Sequence, residues 1–82
     1  MSTTVTVQLF ASYAENLGGS TLQIPLDSVS TVDDLVKQIR SLPGGHLLPE
    51  SPRVAVNQKI ASRDQVIDSF DEVALIPPVA GG

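Results

Sequence analysis

The 82-residue sequence predicts an α+β fold in which a mixed sheet packs on one main helix, with the principal elements in the order β-β-α-β-β. Three observations lead there. Apolar and polar residues alternate at Thr4–Phe10 and again at Val73–Ile76, the period of a half-buried strand. Between them, Val32, Leu35, Val36 and Ile39 recur at helical spacing behind a complete helix-start signal. After the last strand the chain reads Pro77-Pro78-Val79-Ala80-Gly81-Gly82, which is neither helix nor strand. We divide the chain into a single body, residues 1–77, and an extended tail, residues 78–82.

The first strand places Val5, Val7 and Leu9 on one face and Thr4, Thr6 and Gln8 on the other, which leaves bulky Phe10 on the polar face. Ala11–Leu17 reads as a short helical turn closed by Gly18-Gly19. Thr21–Leu26 follows as a second strand with Leu22, Ile24 and Leu26 facing in. Thr31 is positioned to cap the main helix with Asp34 reaching back in a capping box, and Asp33 and Asp34 suit the positive end of the helix dipole. Leu42-Pro43-Gly44-Gly45 stops that helix. Arg53–Val56 is the third strand, Asn57-Gln58-Lys59 a sharp turn, and Ile60-Ala61 a short extended piece. Val73 and Leu75 face the core in the last strand, so Ile76 shares the outer face with Glu72 and Ala74.

Composition excludes several classes of function. Without cysteine there is no disulfide, no thiolate nucleophile and no Cys-based metal site. Net charge is −4 and the five cations are scattered, which argues against nucleic acid as a partner and for a basic protein surface. No basic region followed by an apolar run opens the chain, and no apolar segment is long enough to span a bilayer, so no membrane association and a cytoplasmic location are the expectation. His46 is the single histidine and has no companion ligands, so it receives no role. Asp64, Asp68 and Asp71 lack the spacing of a calcium loop and read as solvated turns. No metal and no stably bound cofactor are expected.

The tail leaves two readings open when taken by itself. Chain ends commonly fray, and Gly81-Gly82 fits that description. Two terminal glycines without Cβ atoms also suit a narrow channel in another protein, where the Gly82 carboxylate becomes a reacting group. Pro77-Pro78 favours an extended path that aims the tail away from the body. If the first and last strands lie side by side and parallel, Phe10 and Ile76 meet at one end of the sheet on the outward face, where the tail departs. That pairing would make an apolar landing patch beside the terminus, which favours a docking partner.

Several stretches resemble the small subunit of molybdopterin synthase, the MoaD family of ubiquitin-like sulfur carriers. They are Leu9-Phe10-Ala11 with Glu15 and Gly18, Val54-Ala55-Val56-Asn57-Gln58, and Asp71-Glu72-Val73-Ala74 with Pro77-Pro78-Val79-Ala80-Gly81-Gly82. The resemblance spans essentially the whole chain and implies a β-grasp fold. It implies that a partner adenylyltransferase of the ubiquitin-activating type uses ATP to convert the Gly82 carboxylate to an acyl-adenylate. Sulfur from a sulfur-donating protein then gives a thiocarboxylate. The tail next enters the large synthase subunit and gives sulfur to cyclic pyranopterin monophosphate, building the dithiolene of the molybdenum cofactor. On that view the chain is a donor, not an enzyme by itself, and a heterotetramer of two small and two large subunits is implied. Gly82 is the modified residue and Gly81 its slender neighbour. Phe10, Ile60 and Ile76 correspond to the docking surface, and Pro78, Val79 and Ala80 form the partner-contacting tail. Ala14 stands where many relatives have Arg, and Ala80 where they often have Ser or Thr.

Three rivals remain at this stage. A thiamine-pathway sulfur carrier shares the tail and its activation, but Asp71-Glu72-Val73 and Pro77-Pro78 argue against it. A protein modifier would join Gly82 to a lysine by an isopeptide bond. An interaction domain with an inert tail would lose nothing on removal of Gly81-Gly82.

Overall fold

A computed structural model of the chain describes residues 3–26 and 30–78. β1 (Thr3–Leu9) runs into α1 (Ala11–Leu17), then β2 (Thr21–Leu26), β3 (Ser30–Thr31) and α2 (Val32–Arg40). A 3-10 turn at Gly45–Leu47 precedes β4 (Arg53–Val56), β5 (Lys59–Ile60), β6 (Val66–Ile67) and β7 (Val73–Ile76). The main sheet has the order β2-β1-β7-β4-β5, and β3 pairs with β6 in a separate two-stranded ribbon. β1 and β7 are adjacent and parallel, with Leu9 opposite Leu75, while the other pairings are antiparallel. The mixed sheet on one main helix is therefore present, with the terminal strands side by side at its centre.

Strand parity decides which residues enter the core. Val5, Val7 and Leu9 of β1, Ile24 and Leu26 of β2, Val54 and Val56 of β4, and Val73 and Leu75 of β7 are all buried. α2 lays Val32, Leu35, Val36 and Ile39 against them. Each such side chain contributes about 1.5–3 kcal/mol by leaving water. The capping box at the start of α2 is complete: the Asp34 N–H donates to Thr31 Oγ1 at 3.3 Å, and the Thr31 N–H donates to Asp34 Oδ2 at 3.0 Å. The next two orphan donors of that helix end, Val32 N–H and Asp33 N–H, reach the Gln65 and Arg63 carbonyls at 2.9 Å each.

Four details differ from the reading of the sequence. β1 ends at Leu9, and Phe10 sits in extended backbone as the N-cap residue of α1. Ala11–Leu17 is a full seven-residue helix rather than a single turn, closed by Gly18 in the left-handed region. Its Tyr13 joins the core, which a stretch so short and polar did not advertise. The β3–β6 ribbon was not anticipated, because two-residue strands carry no periodicity. The stop after α2 does rest on its glycines. Gly44 has φ +85°, and a Cβ there would meet the Asn16 carbonyl oxygen, while one on Gly45 would meet the Ile39 carbonyl oxygen.

Candidate functional site

The outward face of the sheet carries a row of paired residues across four strands. Gln8 of β1 lies opposite Ala74 of β7, Ala74 opposite Ala55 of β4, and Ala55 opposite Ile60 of β5. Two alanines side by side make a low floor. Around it stand Phe10, Ile60 and Ile76, with Gln8, Gln58 and Glu72 completing the wall of a shallow concavity of about 430 Å³. Phe10 is 46% and Ile60 63% exposed, a large apolar area for water to cover on so small a domain. The three residues assigned to docking are thus brought together on one surface.

Two turns hold that surface in shape. Asn57 and Gln58 connect β4 to β5 with φ of +53° and +70°, the two left-handed positions of a tight hairpin turn. Asn57 is also tied to the start of β7: its N–H donates to Glu72 O at 2.7 Å, the Glu72 N–H donates to Asn57 Oδ1 at 2.9 Å, and Asn57 Nδ2 donates to Asp71 Oδ1 at 2.9 Å. The acidic residues of the preceding loop also brace the loop itself. The Asp68 N–H donates to Asp71 Oδ2 and the Phe70 N–H to Asp68 Oδ1, each at 2.9 Å. Among the described residues no group of three or more metal-ligating side chains converges.

At the other end of β7 the chain passes Ile76 into Pro77 and exposed Pro78. There a second, open cleft of about 440 Å³ is lined by Tyr13, Pro49, Ser51, Pro52, Arg53, Ile76, Pro77 and Pro78. Ile76 borders both concavities. Burial pushes the Tyr13 hydroxyl above the usual tyrosine pKa, so it is a neutral O–H at physiological pH. This cleft escaped the reading of the sequence because its walls come from three separated segments. Val79, Ala80, Gly81 and Gly82, the remaining assigned site residues, lie outside the described residues.

Fold and surface together define a small β-grasp domain with an exposed, largely apolar concave face beside the root of its C-terminal segment. A family model described as the ThiS family matches residues 7–82. The molybdopterin synthase sulfur carrier subunit of Dictyostelium discoideum is 38% identical over 92 residues, covering 100% of both chains. Among solved structures, SAMP1 of Haloferax volcanii is similar with a TM-score of 0.82 at 27% identity, over 96% of this chain and 99% of that one. A chain of the complex of subunits 1 and 2 of molybdopterin-converting factor from Helicobacter pylori 26695 is similar with a TM-score of 0.68 at 19% identity, over 96% and 99%. The last likeness speaks to the fold alone. The chain belongs to the ThiS family.

Proposed function

We propose that this chain is the sulfur-carrier subunit of a molybdopterin synthase. The observation that carries the reading is the full-length identity to a relative bearing that name. The surface supports it, because a carrier needs a face for its partners close to the point where the reactive end departs, and Phe10, Ile60 and Ile76 border one such face.

A carboxylate is a poor electrophile, so the Gly82 carboxylate first attacks the α-phosphate of ATP on an adenylyltransferase, releasing pyrophosphate. The terminal sulfur of a persulfide on a sulfur-donating protein displaces AMP to give an acyl disulfide, and a thiol then attacks the donor's sulfur, forming a new disulfide and releasing the thiocarboxylate. The chain docks through the Phe10, Ile60 and Ile76 face on a large subunit, and Pro78, Val79, Ala80 and Gly81 thread the sulfur toward cyclic pyranopterin monophosphate. The large subunit supplies the catalytic groups. ATP is a substrate of the activating partner, and this chain holds no resident cofactor.

A second reading has one specific observation behind it. Haloferax volcanii SAMP1, whose name stands for small archaeal modifier protein 1, is 27% identical with the same fold. The same activated Gly82 would then be intercepted by a lysine amine. The two are separated by reconstitution. A sulfur carrier charged by its activating enzyme converts cyclic pyranopterin monophosphate to the dithiolene in the presence of the large subunit, and removal of Gly82 abolishes conversion. Isopeptide conjugates without conversion would replace the first reading with the second.

A further inference from the structure

The cleft at the root of the tail has a polarity unlike the rest of the molecule. The chain is acidic overall, with nine carboxylate residues against five cations, yet among the described residues no Asp or Glu lines this cleft. Its polar lining residues are Tyr13, Ser51 and Arg53, set among Pro49, Pro52, Ile76, Pro77 and Pro78. Glu50, between two lining residues, is not part of the wall. Arg53 is exposed on β4 directly opposite Ile76, and it forms no ion pair among the described residues, in contrast to Lys37 and Arg63, which both pair with Asp33. An arginine with no ion pair among the described residues, in a cleft that Tyr13, Ser51 and apolar residues also line, suits a carboxylate on a short apolar stem.

The wall is also built in advance. Arg63 Nη1 donates to the Glu50 carbonyl at 3.2 Å and to Ser51 Oγ at 3.0 Å, while its Nη2 pairs with Asp33 on α2. Pro52 is buried beside it. A cleft fixed this way orders little further on binding, which reduces the entropic cost of occupying it.

We propose that this cleft takes an acidic side chain of the same partner that covers the Phe10, Ile60 and Ile76 face, with Arg53 as its ion-pair partner. The inference rests on the sulfur-carrier reading for the identity of that partner, the large synthase subunit. Continuity supports a shared occupant, because Ile76 borders both concavities and a protein seated on the face and receiving the tail passes over it. The pairing would fix the direction in which the tail leaves, next to Pro77 and Pro78.

The test is binding of the full chain to its large subunit, followed by calorimetry at low and high salt, for the wild type, Arg53→Glu, Arg53→Lys and Ile60→Asp. Charge reversal at Arg53 should weaken the complex by about tenfold or more, as for a partly desolvated interfacial ion pair, and flatten the salt dependence. Arg53→Lys should fall between, having lost the bidentate fork. An Asp or Glu to Lys change on the large subunit that restores binding to Arg53→Glu identifies the partner carboxylate. If Ile60→Asp weakens binding while Arg53→Glu stays within about twofold of wild type, the cleft is not part of the interface and the proposal falls, with the sulfur-carrier reading intact. If the wild-type chain does not bind at all, both readings fail together. Arg53→Glu that binds more tightly would point to the chain's own tail as the occupant and would also overturn the proposal.

Discussion

Asn57 and Glu72 grip each other in both directions, Asn57 N–H to Glu72 O at 2.7 Å and Glu72 N–H to Asn57 Oδ1 at 2.9 Å. The clasp joins the β4–β5 turn to the start of β7 and so holds Ile60 and Ile76 on a common face. Replacing Asn57 by Ala should cost about 1–3 kcal/mol, since it strands the Glu72 N–H and places Ala at positive φ. Urea denaturation at neutral pH measures this. Asn57→Asp should be worse than its size suggests, because it sets a carboxylate against Asp71.

Gln58 occupies the second left-handed position of the same turn, at φ +70°, where glycine is the residue the geometry prefers. Gln58→Gly should raise stability by roughly 0.5–1 kcal/mol, or a few degrees in Tm for a chain of this size. Differential scanning calorimetry reads it directly, and an unchanged or lower Tm would contradict the assigned turn strain.

Ile60 and Leu75 allow the proposed docking role to be separated from folding. Ile60 is 63% exposed and Leu75 fully buried. Ile60→Ala should leave the folding midpoint within about 0.5 kcal/mol of wild type, while Leu75→Ala should lose about 2–5 kcal/mol. Affinity for the large subunit should follow the opposite pattern at equal fraction folded, with Ile60→Ala the weaker binder.

Asp33 sets part of the acid limb of stability. Its carboxyl lies below the usual aspartate pKa chiefly because Lys37 donates to it at 3.0 Å; loss of hydration opposes this, and the pairing with Arg63 adds to the lowering. A depressed folded-state pKa means that the unfolded chain binds the proton more readily as pH falls. The stabilisation is therefore complete above the ordinary aspartate value and disappears as pH drops through the lower folded value. Asp33→Asn should be less stable than wild type at neutral pH, and the two should converge at strongly acidic pH.

The main architecture could be read from the chain because it is written in short periods. Val5, Val7 and Leu9 alternate, Val32, Leu35, Val36 and Ile39 recur at helical spacing, and Thr31 with Asp34 announces the helix start. Phe10 and Ile76 stood out for the same reason: each breaks the parity of its strand, and the parallel β1–β7 pairing sets them on one face. Other features depend on contacts between distant residues and leave no local trace. The Asn57 clasp spans 15 residues to Glu72, and the Arg63 tether spans 30 to Asp33. Tyr13 enters the core from a helix too short to show a stripe, and the Arg53 cleft assembles only when β4, α1, β7 and the proline-rich loop are already in place.

The most direct test of the sulfur-carrier account is intact mass spectrometry of the chain after incubation with ATP, a sulfur source and a candidate adenylyltransferase of the ubiquitin-activating type. The account predicts a gain equal to replacing one oxygen by sulfur, confined to the C-terminal peptide and absent when Gly82 is removed. No gain in the presence of an adenylyltransferase shown to be active would contradict it.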